Sequence, residues 1–524
     1  MRTISGIYNT STGEWQSRSN TVIQSWDGSL SIEVCGTLRP MDGDDNFAAL
    51  FRRHGAAVTG HLTGNYLAGI YDGDAKALTI IQDRMTSPIT MYYSQCGDLL
   101  HYSTSLKQLL MQTSMARELE EKSVEEFLVN GYLYGERTLL KNVFKLKAFH
   151  ALVADGNGVR QVHVDYPLRK LTMGEALDLW KPTLDTAIRD TFRGETEINQ
   201  PISSGYDSNY ILHVATKFGE LPVNAFSIGG KKGKNELPKV KENMKEYPDV
   251  KLHTALTSDD TLQHFPDIVW RLEGNVYEAG VFLQYELAKL VTGLGKKYLV
   301  CGECADQVMN ENFLKQDRIF PDKFAYYPFD KFPYIYSSHL ILKKNGILFN
   351  SFGVETKYPY YDERFVSVAN AVAPISGRDK RCHVANCKSC LPPTVLKNSI
   401  VKIGGNTEFH SLFANADECG KLLATVENSD FHRKFSDVIF KNSYEAVVAQ
   451  AGGATFKSKL RRKVLDMLGI GRKQRRKDDY YREEMRLRDA LCASYLMIFE
   501  RLFVKDANVQ FDAESCDKPF DRIL

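Results

Sequence analysis

Residues 197–217 constrain this chain more than any other stretch. A short apolar approach ends at Ile202, and a run of small and polar residues follows, Ser203-Ser204-Gly205-Tyr206-Asp207-Ser208. A helical pattern then resumes with Tyr210, Ile211, Val214 and Ala215. The pattern predicts strand, tight turn, helix. A helix N-terminus presents unpaired N–H groups and the positive end of a dipole, which suits phosphate. The hydroxyls of Ser203, Ser204 and Ser208 add donors, and Gly205 allows close backbone approach. Asp207 fits beside phosphate only if it holds a divalent ion such as Mg²⁺. A capped helix after a strand, with no ligand, satisfies the same pattern.

Two further strand ends follow. Leu221–Ile228 reads as a strand closing on Phe226-Ser227-Ile228-Gly229, whose backbone at Ser227 and Ile228 can pair with a base edge. Lys297–Cys301 reads as another, followed by Gly302-Glu303-Cys304-Ala305-Asp306-Gln307. Helical patterns over Glu175–Phe192, Thr261–Arg271 and Glu278–Thr292 alternate with these strands, which argues for a parallel sheet. Ligands of such sheets bind at the carboxyl ends of the strands. Asp207 and Asp306 each follow a strand end, so both can reach one site, with a divalent ion expected between them.

The first 170 residues read differently. Short alternating segments dominate, at Ile4–Tyr8, Leu30–Val34, Tyr66–Tyr71, Leu78–Gln82, Thr90–Tyr93 and Leu99–Ser103. Helical patterns stand at Asn46–His54, Ser105–Met111 and Ser123–Asn130. Strand runs punctuated by helices predict an α+β layered domain.

These motifs resemble those of the asparagine synthetase superfamily. Its pyrophosphate loop, Ser-Gly-Gly-x-Asp-Ser, is matched at Ser203, Gly205, Asp207 and Ser208. Ser204 replaces a glycine, so the backbone there must avoid any conformation only glycine tolerates. The family's Ser-Gly-Glu-Gly-Ala-Asp-Glu is matched at Gly302, Glu303, Ala305 and Asp306, with departures at Cys304 and Gln307. Gly-Val-Glu-x-Arg-x-Pro-Phe-Leu-Asp is matched at Gly353, Val354, Glu355, Pro359 and Asp362. The stretch from Asn65 to Leu110 is similar to the family's N-terminal glutaminase domain. The resemblance implies an α+β N-terminal glutaminase-like (Ntn-type) layered domain over 1–170. An α/β parallel-sheet ATP-pyrophosphatase domain with a helical C-terminal extension then covers 171–524.

Family glutaminases use a cysteine directly after the initiator methionine. Position 2 here is Arg2 and the first cysteine is Cys35, in a strand-like run. The expectation is a glutaminase fold without glutamine hydrolysis. The resemblance implies ATP and Mg²⁺ as cofactors, with Ser203, Ser204, Gly205, Asp207, Ser208, Ser227, Ile228 and Gly302 around the nucleotide. Asp207 and Asp306 would be metal ligands. Lys402, with Lys397 as competitor, would stabilise charge on the reacting carboxyl, and Glu303 or Glu355 would handle the amine. The implied reaction adenylates a carboxylate of a small molecule or peptide and joins it to an amine of the substrate, forming an amide, AMP and pyrophosphate. An ammonia-dependent amidotransferase and a non-catalytic scaffold are the alternatives.

The whole-chain properties agree with a protein of this kind. At 524 residues two or three domains are expected, and a net charge of +2 favours no nucleic-acid partner. No run of about 18 apolar residues occurs, so no membrane span is expected. No leader is read at the N-terminus, which predicts a cytoplasmic protein whose ten cysteines are reduced. Cys382, Cys387 and Cys390, with His383 adjacent, are spaced for a structural Zn²⁺ or an exposed thiol cluster. The basic stretch 455–489 reads as a solvated helix pair, and a homodimer is compatible with the whole.

Overall fold

The computed structural model describes residues 3–19, 22–24, 28–40, 46–83, 88–164, 169–218, 221–231, 235–257, 261–278, 280–309, 342–376, 380–399, 416–439 and 486–505. Its N-terminal half is built on two antiparallel sheets. One has the order Phe144–Lys145, Tyr92–Cys96, Leu99–Ser103, Ser5–Asn9, Trp15–Ser17. The other runs Gly158–His163, His150–Asp155, Ala77–Gln82, Tyr66–Asp72, Leu30–Gly36, Ile23–Gln24. Alternation along each strand sorts its side chains between two cores. Leu67 packs with Tyr8, Cys35, Leu78, Leu100 and Tyr102 between the sheets. Its neighbours Tyr66 and Ala68 face the opposite way, into a larger core shared with helices.

Those helices begin where the sequence supplies caps. Asn46 accepts from Ala49 N ahead of Phe47–His54, and Ser105 from Gln108 N ahead of Leu106–Gln112. Glu273, from the second half of the chain, adds a cap: its carboxylate accepts from Ser105 Oγ and Leu106 N, each at 2.8 Å. The described C-terminal helices, Ala416–Glu427, Asp430–Lys434 and 486–499, pack into the same large core. Tyr495 stacks on Phe127 at 5.3 Å there. The helical extension therefore covers the first half of the molecule.

The second half opens with the helix Met173–Thr191, whose Thr172 and Glu175 form a reciprocal capping box. Pro182 lies inside it without ending it. Ile198–Pro201, Val223–Gly229 and Lys251–Leu256 then pair in parallel, in that order. The last of these carries little strand signal in sequence, because its alternation of Leu252, Thr254 and Leu256 is short and partly solvated. Tyr298–Val300 pairs in parallel with Glu355–Lys357 and lies beside Ile198–Pro201, where Tyr298 Oη donates to Glu197 O. Ile198–Pro201 thus has the second strand on one side and Tyr298–Val300 on the other. The three-stranded and the two-stranded parallel sheets abut there with the order of connection reversed, and the crevice beyond the strand ends at such a point is where doubly wound sheets bind ligands.

Candidate nucleotide site

Both motif loops open at this reversal. Ile202 through Gly205 links Ile198–Pro201 to the helix Tyr206–Phe218. Gly302 through Cys304 links Tyr298–Val300 to the short helix Ala305–Met309. Gly302 is needed for their contact, since a Cβ there would stand 3.3 Å from Ser208 N and 3.5 Å from its Cα. The two loops line one cavity of about 400 Å³, within the range of small-molecule pockets. Ser203, Ser204, Gly205, Asp207, Ser208, Ser227, Ile228, Gly302, Glu303 and Asp306 all line it, so the structure brings together most of the residues singled out from sequence.

The first loop is fixed by its own polar groups. Ser203 N donates to Ser208 Oγ at 3.1 Å, and the two hydroxyls lie 3.0 Å apart. Asn209 Nδ2 donates to the carbonyls of Ser203 and Gly205. Ser204 is buried, its backbone lies outside the left-handed region, and its N–H donates to Glu236 Oε2 at 3.0 Å. The exchange of glycine for serine is accommodated as the sequence required. Cys304 is different: it replaces a glycine and does adopt φ +70° while buried, which is costly for a residue with a Cβ.

Asp207 and Asp306 meet, but with a lysine between them. Lys380 Nζ lies 2.7 Å from both carboxylate oxygens of Asp207 and 2.7 Å from Asp306 Oδ1. Burial alone would lower the lysine's pKa, yet Asp207 and Asp306 outweigh it and raise it, so the ammonium stays charged. His383 Nε2 stands 3.3 Å from Asp207 Oδ1. Burial holds this imidazole below its usual value in spite of Asp207. Sequence reasoning missed Lys380 altogether. Its signal was a basic residue just before the Cys382 cluster, and nothing in the local pattern tied that helix to two strand ends distant in sequence.

Glu303 lines the cavity, and burial raises its carboxyl above the ordinary range, against the pull of Lys344. Glu355 does not join it. Glu355 begins its strand, so it lies at the opposite edge of the parallel sheet from Asp207 and Asp306. There it accepts from Thr37 Oγ1 at 3.1 Å and lines a separate cavity of about 310 Å³ with Asn65, Asp190 and Arg364. Lys397 is exposed on the helix Pro393–Ser399. Ser399, two residues on, donates its hydroxyl to Ser204 O at 2.8 Å. Lys402 lies outside the described residues, as does the basic stretch over 455–485.

The zinc expectation is overturned. Cys382, Cys387 and Cys390 all lie on one helix, Arg381–Cys390, where residues five apart point to different sides. Cys390 Sγ lies 3.2 Å from Asn386 O, and Cys387 is buried in the core of the second half. Among the described residues no group of three His, Cys, Asp or Glu side chains is placed to hold a metal ion. Cys35 is likewise core: it is 2% exposed in the strand between the sheets. No described helix is long and apolar enough to cross a membrane.

Comparison with known proteins adds two matches. The asparagine synthase family model matches residues 179–339, and the glutamine amidotransferase domain model matches residues 44–166. The chain is 20% identical over 364 residues to asparagine synthetase B [glutamine-hydrolyzing] of Escherichia coli (strain K12). That alignment takes in 64% of this chain and spans 58% of that protein. Two solved structures also align. One is the allosteric regulatory enzyme of purine biosynthesis, at 8% identity and TM-score 0.20, over 48% of this chain and 64% of that one. The other is the glutamine phosphoribosylpyrophosphate amidotransferase from B. subtilis complexed with ADP and GMP, at 7% identity and TM-score 0.18, over 48% and 75%. Superpositions this loose add nothing to the fold reading.

Proposed function

The chain belongs to the asparagine synthetase superfamily, with a glutaminase-like and a synthetase domain, and from that membership we propose an ATP-dependent carbon–nitrogen ligase that adenylates a carboxylate and passes the acyl group to an amine. The observation that carries this reading is the convergence of the Ser203–Ser208 loop and the Gly302–Asp306 loop on one cavity at the reversal point of the sheet. The amide groups at the start of the helix Tyr206–Phe218, with Ser203 and Ser208, would hold the pyrophosphate end of ATP. Ser227 and Ile228 would border the base. Carboxylate oxygen attacks the α-phosphorus, pyrophosphate leaves, and the amine then displaces AMP.

Glu303 is the residue proposed to take the proton of the attacking amine, since its raised carboxyl sits on the cavity wall. Lys402 keeps the proposed role of stabilising charge on the acyl group, supported by the family resemblance alone. Glu355 drops out of the proposal. Mg²⁺ belongs to this reading as the counter-ion of ATP, but the residues present do not fit an ion on the carboxylate pair while Lys380 stands there. No step is therefore routed through it.

The amine is proposed to come from the substrate rather than from glutamine. Among the described residues of the N-terminal half the cysteines are Cys35 and Cys96, the first in the core and the second exposed at the end of a strand. The boundary between the domains is proposed near residue 170, between the two family matches.

The test is release of AMP and pyrophosphate from ATP with panels of carboxylates, with and without ammonium, beside an Asp207→Asn control. AMP formed from an amino-acid or peptide substrate without ammonium, and lost in the control, is the expected result. AMP formed only with ammonium would replace the substrate amine by free ammonia. Absence of ATP binding would remove the ligase reading and leave a scaffold.

A further inference from the structure

Lys380 is held where it is by more than charge. It stands just ahead of the helix Arg381–Cys390 with φ 50° and ψ 46°, a left-handed conformation that a residue with a Cβ adopts at a cost. Its side chain is 7% exposed. An ammonium has three N–H donors and no acceptor, and here three carboxylate oxygens lie at 2.7 Å: Asp207 Oδ1, Asp207 Oδ2 and Asp306 Oδ1. The donor set is used up on the two aspartates. Titratable groups packed against Asp207 here include His383, with Nε2 3.3 Å from Oδ1, Tyr360, whose hydroxyl donates to Asp207 O at 2.9 Å, and Cys387, whose thiol lies 3.5 Å from His383 Nε2.

A divalent ion cannot share that position. Mg²⁺ binds carboxylate oxygens at about 2.0–2.1 Å, and an ion drawn in between Asp207 and Asp306 would lie against the ammonium with nothing to screen the two. We infer that Lys380 is a built-in cation that keeps divalent ions off the Asp207–Asp306 pair in the nucleotide-free protein. Two carboxylates against one ammonium leave one negative charge rather than two, and their geometry is set before any ligand arrives. A metal can then occupy the pair only together with a polyanion able to draw the lysine away. The nucleotide reading of the site supplies the identity of that polyanion, but the exclusion itself does not depend on it, and the test below uses no nucleotide.

The experiment is titration of the nucleotide-free chain with Mn²⁺, followed by electron paramagnetic resonance. Wild-type protein is expected to show no specific Mn²⁺ site, whereas Lys380→Met and Lys380→Gln each gain one, with affinity tighter by about tenfold or more. Adding Asp207→Asn to either variant removes the gain. Tight Mn²⁺ binding by wild-type protein, at the affinity of the variants, overturns the inference. So does a folded Lys380 variant that gains no site. Where a variant is unstable, its melting temperature in Mn²⁺ is the second readout. A rise with Mn²⁺ in the variant and none in wild type supports the lysine as stand-in, and the absence of any rise overturns it.

Discussion

Glu33 in the first half of the molecule and Asp207 in the second are both carboxylates withdrawn from water, and they are satisfied in opposite ways. Glu33 lies between the two antiparallel sheets, across from Gly69, where a Cβ would come within 2.7 Å of its Oε1. It accepts hydroxyls only: Tyr102 Oη at 2.7 Å, Ser17 Oγ at 2.8 Å, and Ser19. No cation offsets its charge in that set, and burial raises its carboxyl. Asp207 faces an open cavity and is balanced by an ammonium that spans to a second aspartate. Hydroxyls fix a carboxylate in a sealed core, where nothing needs to exchange. A mobile cation suits a carboxylate that must change partners, because another cation can take its place. The difference agrees with the proposal that the second region holds the working site.

The comparison breaks most visibly at Glu303. If the cavity is the working site, Glu303→Gln lowers AMP formation by about a hundredfold or more, while Glu33→Gln leaves it within about twofold. Equal losses in the two variants would show that the second region has no special role. The next largest effect is on stability. Lys380→Met strands two carboxylates, one of them mostly buried, and is expected to cost about 3 kcal/mol in chemical denaturation.

Glu33→Gln should move the other way, and pH gives the sign. Desolvation raises the folded-state value of Glu33 above its ordinary 4.5, although hydrogen bonds from Ser19, Tyr102 and Ser17 pull it down. A raised carboxyl contributes stability that is full below the unfolded value and is lost as pH climbs through the folded one. The melting temperatures of wild type and Glu33→Gln should therefore coincide at low pH and separate toward neutral pH, with the variant ahead. A wild-type lead at neutral pH would mean that the hydroxyl set stabilises the charged form after all.

A smaller effect tests how the site's loops differ from the sheets that carry them. Cys301 and Cys304 are both buried, but only Cys304 has positive φ. A β-branched side chain tolerates the left-handed region poorly. Cys304→Val should cost about 1–2 kcal/mol more than Cys301→Val in the same denaturation assay.

Period and punctuation made much of this legible in the sequence. Alternation located six strands of the first half, most to within two residues, as at Leu99–Ser103, but it placed Tyr92–Cys96 too early and missed His150–Asp155 and Gly158–His163; the strand–turn–helix of 197–217 matches the expectation. Asp207 and Asp306 were paired correctly because parallel sheets bring strand ends together. The lysine between them was not legible. Its position is set by a helix that arrives from elsewhere in the fold, and by a backbone conformation that sequence does not announce for a lysine. Cys382, Cys387 and Cys390 misled for the converse reason: on one helix Cys382 and Cys387, five residues apart, face different sides, which the spacing alone does not reveal. The strand Phe144–Lys145 is too short to carry a periodic signal at all.

The smallest expected effect is the sharpest on geometry. Glu355 falls in a motif that reads as part of the site, yet neither it nor Lys357 at the other end of its strand lines the nucleotide cavity. Parallel strands all present their carboxyl ends to one side, so a residue at position one of a three-residue strand stands a full strand length from the ligand side. Its carboxylate instead meets Thr37 of the first half. Glu355→Gln keeps an acceptor for Thr37 Oγ1 and should change AMP formation by less than about threefold, with any loss appearing in thermal stability. A drop as large as that of Glu303→Gln would require the two halves to rearrange around Thr37 during turnover, and would turn the cavity between them from packing space into part of the reaction path.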